Sequence, residues 1–280
     1  MTATPSDPAT HVGRTRVLHD VVTAATLERM AATLDWPVPG GDLPPLWHWL
    51  FACPPIPRAD MGPDGHERLG LFMPDIAGAL RMWAGSDIRF LAPVRVGDAL
   101  AVRSTIASVV AKPQAARCLW FVDVAHEWHA NGIAAIVDRQ TIVYRVGDGA
   151  KPARAAAAPP PPAESPLRSI VFDDLDLFRY SALTFNSHRI HLDRAFCQQE
   201  TGDARLVVHG PLLATLAAHG AQELLGAPLT RFSFRSRQPV REGERIGLFR
   251  QDAQPDRCAL QIIGSDGSMR LEAQAWSATA

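Results

Sequence analysis

The segment from Phe178 to Asp193, FRYSALTFNSHRIHLD, combines residue types that can move a proton and hold a water molecule. His188 and His191 stand three residues apart, and Asn186 precedes them. An imidazole has a pKa near neutrality, so it can act as base and as acid, while an amide can orient water by hydrogen bonding without ionising. The spacing therefore predicts an active site that transfers protons.

A second segment, Leu206 to Leu213 (LVVHGPLL), supplies a group that can polarise a carbonyl. Gly210 follows His209 and opens an apolar stretch that predicts a helix to about Leu225. Backbone N–H groups at a helix start favour developing negative charge, and glycine lets a ligand approach the backbone closely. We predict that the N–H of Gly210 binds a carbonyl oxygen as charge develops on it.

The composition is that of a globular protein: 47% of the 280 residues are hydrophobic and 20% are charged. A formal net charge of -1 gives no field that would gather nucleic acid or an anionic membrane. The N-terminus is polar and no apolar run is long enough to cross a membrane, so we predict a cytoplasmic protein and regard a transit peptide as the weaker interpretation. The four cysteines lie far apart and indicate neither a disulfide framework nor a zinc ribbon.

Gly147 to Pro166 divides the chain, because it contains small residues followed by four consecutive prolines, which favour extended polyproline geometry. We interpret residues 147–166 as a linker. Residues 1–146 and residues 167–280 are each close to the size of one domain.

The two parts share a repeat. Ile88 to Leu100 (IRFLAPVRVGDAL) aligns with Phe234 to Ile246 (FRSRQPVREGERI), and both contain Pro-Val-Arg, any residue, Gly and an acid. Each copy is preceded and followed by an alternating stretch, which is typical of strand, turn and strand. We therefore predict an internal duplication.

Each half is predicted to contain a long apolar helix followed by four antiparallel strands, an α+β arrangement. The first half has helical patterns at Thr23 to Leu34, with Thr23 as N-cap, and at Leu46 to Ala52, which Cys53-Pro54-Pro55 ends. The predicted strands lie near 80–90, 98–110, 118–130 and 134–145, then near 168–173, 229–238, 244–251, 257–264 and 269–276.

The chain resembles the MaoC-like hydratases and dehydratases, and within them the double-hotdog, type 2 3-hydroxyacyl-thioester dehydratase branch that includes mesaconyl-C4-CoA and itaconyl-CoA hydratases. The resemblance rests on PLWHWLFACPP, FLAPVRVGDAL, DRQTIVYR, LFRYSALTFNSHRIHLDRAF and LVVHGPLLA. It implies a double hotdog fold, in which two curled antiparallel sheets each wrap around a long central helix. It also implies hydration or dehydration of an acyl thioester.

The parent family carries Asp-x-Asn-Pro-aliphatic-His, in which Asp and His position the water. His191 and Ile190 match that pattern, whereas Asn186, His188 and Arg189 replace its Asp, Asn and Pro. Within the branch, Asn-x-His-Arg-Ile-His is itself the expected form. The resemblance therefore implies that His191 handles protons, Asn186 holds water and Gly210 binds the thioester carbonyl.

Six further residues are candidates for contacts with the substrate: His188, Arg189, Arg179, Tyr180, His209 and Leu212. The two arginines could pair with a substrate carboxylate, or merely with Asp193 or Asp176. His209 is interpreted as a structural hydrogen-bond partner at the helix start in preference to a second base. Asp193 is interpreted as an N-cap or surface residue before it is interpreted as a catalytic acid.

His188, His191 and His209 could form a three-histidine zinc site, but no thiolate or carboxylate ligand spacing supports it. We predict no metal and no cofactor, with coenzyme A as part of the substrate. Arg231, Arg235 and Arg237 share one face of a strand, and they either meet the phosphates of coenzyme A or form a solvated outer face. The second interpretation is preferred.

The leading hypothesis is a hydro-lyase for a short enoyl-CoA, with a dicarboxylic mono-CoA ester such as mesaconyl-C4-CoA or itaconyl-CoA as one option. A 3-hydroxyacyl dehydratase that uses an acyl carrier protein, a hotdog thioesterase and a non-catalytic thioester binder are the alternatives. The first half has no counterpart of FNSHRIH, so one site per chain is expected, with the first half enclosing the substrate. A homodimer of double hotdogs is one expected assembly.

Overall fold

The computed structural model describes residues 7–76, 79–114, 117–146 and 165–278. The helices are α1 (Ala24–Leu34), α2 (Asp174–Leu183), α3 (Arg194–Thr201) and α4 (Gly210–Leu225). The strands are β1 (Thr15–Val21), β2 (Leu80–Phe90), β3 (Ala99–Gln114), β4 (Arg117–Ala130), β5 (Ile133–Val146), β6 (Arg168–Val171), β7 (Leu229–Ser236), β8 (Arg245–Gln254), β9 (Arg257–Gly264) and β10 (Met269–Ser277).

All ten strands join in one antiparallel sheet with the order β1-β3-β4-β5-β2-β7-β10-β9-β8-β6. The order of the second five strands mirrors that of the first five, which is the arrangement that a duplicated unit produces. The two units meet where β2 pairs with β7, from Gly85 opposite Arg235 to Arg89 opposite Arg231. Gly85 is needed at this joint, because a side chain there would overlap the carbonyl oxygen of Phe234.

The predicted repeat forms the same turn twice. Gly97 (φ +94°) and Gly243 (φ +72°) both adopt the left-handed backbone conformation that favours glycine. The acid after each glycine accepts a hydrogen bond from the arginine N–H three residues earlier, at 2.7 Å for Asp98 and 3.1 Å for Glu244. The duplication predicted from the sequence is therefore visible as repeated backbone geometry.

Helix α1 begins where predicted, with the hydroxyl of Thr23 accepting from the N–H of Thr26 at 3.3 Å. The predicted strands from 80 onward are present with shifts at their ends. The sequence analysis missed β1 and α2. The short β1 has an irregular apolar pattern. The start of α2 is fixed by a capping box, in which the carboxylate of Asp173 accepts the N–H of Asp176 and the carboxylate of Asp176 accepts the N–H of Asp173.

The two halves differ at the centre. In the second half α4 packs against β7, β8, β9 and β10, as expected of a central helix. The predicted apolar helix at Leu46 to Ala52 is wrong: that segment forms only a 3₁₀ helix, Trp47–Leu50, between two residues with positive φ, Leu46 and Ala52. The chain leads into this 3₁₀ helix in the same way as it leads into α4. Before the 3₁₀ helix, the N–H of Leu43 donates to the carbonyl of Val94; before α4, the N–H of Val208 donates to the carbonyl of Val240.

The first half therefore has no long central helix among its described residues, because Pro54 and Pro55 follow the 3₁₀ helix and cannot continue it. The curling of each half-sheet around a helix remains a prediction.

The predicted linker falls at residues 147–164 outside the described residues. All four cysteines are free thiols, and Cys197 and Cys258 are buried. In the part of the chain that the structure describes, no helix has the length and apolar character needed to span a bilayer.

Candidate active site

A cavity of about 1020 Å³ lies against the face of the first half-sheet that has no long helix over it. Strands β3, β4 and β5 form its floor through residues such as Val102, Val124 and Ile142, and the segment 184–192 together with the start of α4 forms the opposite wall. The first copy thus leaves an open space where a central helix is missing, and the second copy supplies the residues that the sequence predicted to be catalytic.

Five of the predicted site residues line this cavity: His191, Asn186, Gly210, His188 and Tyr180. The other four, Arg189, Arg179, His209 and Leu212, are not part of its lining. The structure therefore brings together the three residues predicted to be catalytic, and it separates the two predicted arginines from the cavity.

His191 ends a short 3₁₀ helix, Arg189–His191, and only 7% of its surface is exposed. Its Nδ1 lies 2.6 Å from the carbonyl oxygen of Val207, which can only accept, so Nδ1 carries the proton and Nε2 keeps a lone pair. Burial lowers the pKa of His191 to about 4, against a smaller opposing effect of the Val207 bond. The ring is therefore neutral at physiological pH and suited to accept a proton.

Asn186 follows Phe185, a residue with positive φ (48°) that turns the chain after α2. The Oδ1 of Asn186 accepts the N–H of His188 at 3.0 Å, which fixes the side chain. Its amide nitrogen is left to donate to a water or a substrate oxygen. The geometry fits the predicted role of a water holder.

Gly210 is the first residue of α4, and the preceding His209 makes no side-chain cap to the helix. The first N–H groups of a helix have no partner within it, so the N–H of Gly210 is available to an oxygen in the cavity. A methyl group on Gly210 would find only the hydroxyl of Ser236 nearby, at 3.7 Å. Packing therefore does not require glycine here.

His209 lies behind the wall, fully buried, with its ring stacked on that of His191 at 3.7 Å between centroids. Its Nε2 pairs with the hydroxyl of Ser181 at 2.9 Å. Burial, with smaller effects of His191 and His188, holds the pKa of His209 far below its usual value. A neutral ring in this place fixes the orientation of His191.

Arg189 forms an ion pair with Asp193 at 2.6 Å and donates to the carbonyl of Pro63 at 3.1 Å. Asp193 also caps α3 by accepting the N–H of Phe196 at 3.0 Å, as the sequence indicated. Arg179 is exposed on α2. The sequence left open whether these arginines pair with a substrate carboxylate or with a protein carboxylate. Arg189 pairs with a protein carboxylate, that of Asp193.

The arginines of β7 lie on the outer face of the sheet, with Phe232 and Phe234 buried on the other face. Arg231 pairs with Asp87 at 2.5 Å, and Arg237 pairs with Glu272. The pairing of Arg231 agrees with the preferred interpretation of a solvated outer face, whereas Arg237 follows β7 and lines the cavity.

Sequence reasoning missed a contribution from the first half. The segment Gly62 to His66 crosses to the catalytic segment, and His66 lines the cavity while Asp64 stands behind it. Potential metal-ligand atoms of Asp64, His66 and His188 lie within 4.8 Å of one another. No residue spacing could have revealed this cluster, because more than 120 residues separate its two parts; the only signal was Asp-Gly-His within a stretch that the strand pattern left unassigned.

Comparison with known proteins agrees with these observations. Residues 46–242 match the model of the family described as hydroxyacyl-thioester dehydratase type 2. The chain is 39% identical over 268 residues to the mesaconyl-C(4)-CoA hydratase of Chloroflexus aurantiacus, covering 94% of this chain and 95% of that protein.

Solved structures show the fold. The HtdX structure from Mycobacterium tuberculosis superposes with a TM-score of 0.69 at 19% identity, covering 94% of this chain and 99% of the other. A second protein from that organism, described as having a double hotdog fold, matches with a TM-score of 0.55 at 14% identity over 94% of this chain and 95% of the other. The double hotdog expected from the sequence is thereby confirmed. The chain belongs to the hydroxyacyl-thioester dehydratase type 2 family and is a hydro-lyase.

Proposed function

We propose that the chain catalyses the reversible hydration of a short, dicarboxylic enoyl mono-CoA thioester of the mesaconyl-C4-CoA type. The single observation that carries this proposal is a neutral, buried His191 whose Nδ1 is occupied by Val207, in one cavity with Asn186 and Gly210. The 39% identity to a mesaconyl-C(4)-CoA hydratase supports the choice of acyl group.

In the hydration direction, the thioester oxygen accepts the N–H of Gly210 at the positive end of α4. Asn186 donates its amide N–H to the water, and His191 Nε2 accepts a proton from that water as its oxygen bonds to the β-carbon. The electron pair of the double bond moves to the α-carbon, with charge spreading onto the thioester oxygen. His191 then returns the proton to the α-carbon, so the protein ends unchanged.

The free carboxylate of such a substrate needs a cation. Five arginines line the cavity; Arg16, Arg237 and Arg270 have acidic partners, whereas Arg58, like Arg81, has none among the described residues. Arg81 makes no ion pair within 4.0 Å among the described residues, and it lies close enough to His66 and His188 to lower the pKa of both. We propose that Arg81 binds the carboxylate, in place of the two arginines suggested by the sequence.

A second candidate follows from the volume of the cavity. Its space over β3 to β5, lined mostly by apolar side chains, could hold a longer acyl chain, as a dehydratase acting on acyl-carrier-protein thioesters would require. Polar groups on the same floor, including Gln140 and a hydrogen-bonded Ser104–His126 pair (2.8 Å), favour a short polar acyl group.

A panel of thioesters tests the function: crotonyl-, mesaconyl-C4-, itaconyl- and long-chain enoyl-CoA, followed by loss of enoyl absorbance and by identification of the product. We expect the branched dicarboxylic substrates to react fastest and His191→Ala to abolish the reaction. Full activity of His191→Ala would remove His191 from the mechanism. Release of free coenzyme A without a hydroxyacyl product would show a thioesterase instead.

The scheme uses protein groups alone, with coenzyme A as part of the substrate. A cytoplasmic location and a homodimer of double hotdogs remain predictions from the sequence.

A further inference from the structure

The segment Gly62 to His66 is fastened to the catalytic segment by several hydrogen bonds. The hydroxyl of Ser187 donates to the carbonyl of Gly65 at 2.6 Å, and the N–H of Arg189 donates to the carbonyl of Asp64 at 2.8 Å. Gly65 has positive φ (85°), and any side chain on it would overlap the carbonyl oxygen of Ser187. Such close backbone contact between distant parts of the chain fixes the position of His66 relative to the catalytic residues.

His66 faces the cavity, and its Nδ1 lies 2.9 Å from Oδ2 of Asp64. A carboxylate accepts only, so this bond places the proton of the neutral ring on Nδ1 and leaves a lone pair on Nε2. Burial acts to raise the pKa of Asp64, but hydrogen bonding and charge interaction with His66 outweigh burial and hold that pKa below its usual range. Asp64 is therefore ionised and keeps the tautomer of His66 fixed.

His66 and His191 are near each other on one wall. The ring of His188 is close to both, with centroids 3.9 Å from His66 and 5.4 Å from His191, and the charge of a protonated His66 would lower the pKa of His191. Both outer rings have Nδ1 bonded to an oxygen that only accepts, so both present Nε2 as an acceptor. A water molecule has two hydrogens to donate, and this wall offers two imidazole acceptors from opposite halves of the chain.

We propose that His66, held by Asp64, is a catalytic residue that accepts the second hydrogen of the attacking water while His191 accepts the first. This inference rests on the proposed function and deepens its site. Asn186 stands where the parent family has an aspartate. In this proposal the carboxylate comes instead from Asp64 in the first half, and it acts on the water through the imidazole of His66.

The step is balanced without any further reactant. The water donates one hydrogen bond to His191 and one to His66. As its oxygen bonds to the β-carbon, the O–H bond facing His191 breaks and the electron pair of the double bond moves to the α-carbon. The proton on His191 then bonds to the α-carbon, and the hydrogen facing His66 stays in the product as its hydroxyl hydrogen. In dehydration His66 and His191 hold the departing water in the same way.

The groups that face His66 are Asp64, Arg81, His188 and His191. A metal ion bound by Asp64, His66 and His188 is the competing explanation of this cluster. The Nδ1–Oδ2 hydrogen bond removes Nδ1 of His66 as a ligand but leaves Nε2, so the chelator measurement below decides between a metal ion and a water molecule at Nε2.

The test compares two variants of His66 with the wild type, using the best substrate of the thioester panel. His66→Phe keeps a ring against His188 but has no acceptor, and we expect kcat to fall by about 100-fold, the effect of a misplaced reactant, with KM changed by less than about threefold. His66→Gln restores an acceptor oxygen and should recover part of that loss. A ring that served packing alone would give the opposite order, with Phe tolerated better than Gln.

Asp64→Asn provides a second measurement that leaves the wall intact. An asparagine can donate to Nδ1 and force the proton of His66 onto Nε2, so we expect a loss close to that of His66→Phe, and no further loss in the double variant. The matched controls are Asp60→Asn, in an exposed ion pair on the same segment, and His129→Phe, on a strand and outside the cavity lining. Both should keep wild-type kcat.

The outcomes are distinct. If the wild type hydrates no thioester, the proposed function fails. If the wild type is active and both His66→Phe and Asp64→Asn retain its kcat, only the role of His66 is refuted. If dialysis against a chelator abolishes wild-type activity and Zn²⁺ restores it, the cluster is a metal site and the role of His66 as water acceptor is overturned. Should His66→Phe fail to fold, Asp64→Asn decides between these outcomes.

Discussion

Replacement of Gly210 by alanine separates the chemical role of this glycine from its structural role. The backbone there does not adopt the left-handed conformation, so alanine is allowed, and its methyl group meets only the Ser236 hydroxyl at 3.7 Å. Alanine is also a better helix former than glycine, by at most about 1 kcal/mol. The folded protein should therefore tolerate Gly210→Ala with an unchanged or slightly raised Tm.

The new methyl group would lie 3.7 Å from Oγ of Ser236, which also lines the cavity, so we expect it to hinder the approach of the thioester oxygen to the N–H of Gly210 and to act as the loss of that donor. Loss of one such donor raises the barrier by about 2.7–4 kcal/mol, which is roughly a 100- to 1000-fold fall in kcat. Hydration kinetics and thermal unfolding of the same preparation measure the two effects. Because alanine keeps the N–H, a Gly210→Ala protein with wild-type kcat/KM would refute the expectation that the thioester oxygen approaches this N–H past the Cα of residue 210.

Gly220→Ala is the matched control within the same helix. Its methyl group would come to 2.5 Å from Cδ2 of Leu248, a clash with the sheet that is remote from the cavity lining. Overpacking of this kind costs about 1–3 kcal/mol. We expect a lowered Tm and unchanged kcat per folded molecule, the reverse of the result for Gly210→Ala.

Two further results are expected. His191 must be neutral to accept a proton, and because burial lowers its pKa to about 4, the neutral form is lost only as the pH falls toward 4. We therefore expect kcat/KM to stay level from pH 7 to pH 5. An unperturbed histidine, with a pKa of about 6.5, would instead make kcat/KM fall in that range. Gly65→Ala should lower both activity and Tm, because φ is positive and the new methyl group meets the carbonyl of Ser187; a variant with normal kcat would show that the contact between the two halves is not needed for catalysis.

The sequence was informative wherever a local pattern determines structure. Alternating strands, the Thr23 cap and the Pro-Val-Arg-x-Gly turn are decided by neighbouring residues, and they were predicted correctly. The motif around His191 likewise has its elements close together in sequence. These local patterns were enough to predict the fold and the side of the site that carries the His191 motif.

Non-local features were missed. The pattern at Leu46 to Ala52 is apolar enough for a helix, but the two prolines after it and the positive φ at its ends limit it to a single 3₁₀ turn. Asp64 and His66 belong to the site only through contacts with residues more than 120 positions away. The sequence does not decide whether Arg189 pairs with a substrate carboxylate or with the protein; in the structure it pairs with Asp193, four residues away, while its contact with the carbonyl of Pro63 could not be predicted from local sequence.

The joint between β2 and β7 has a consequence for how such a chain can change. Two identical copies would each need a helix to cover their sheet; here one copy is covered by its own helix and the other is left open as a binding chamber. Neither fragment produced by cutting the chain at residues 147–166 would then be expected to function alone. The first would expose a sheet with no helix over it, and the second would have only one wall of the cavity. The two copies are thus no longer interchangeable, and the binding chamber depends on both of them because its walls come from both halves of the chain.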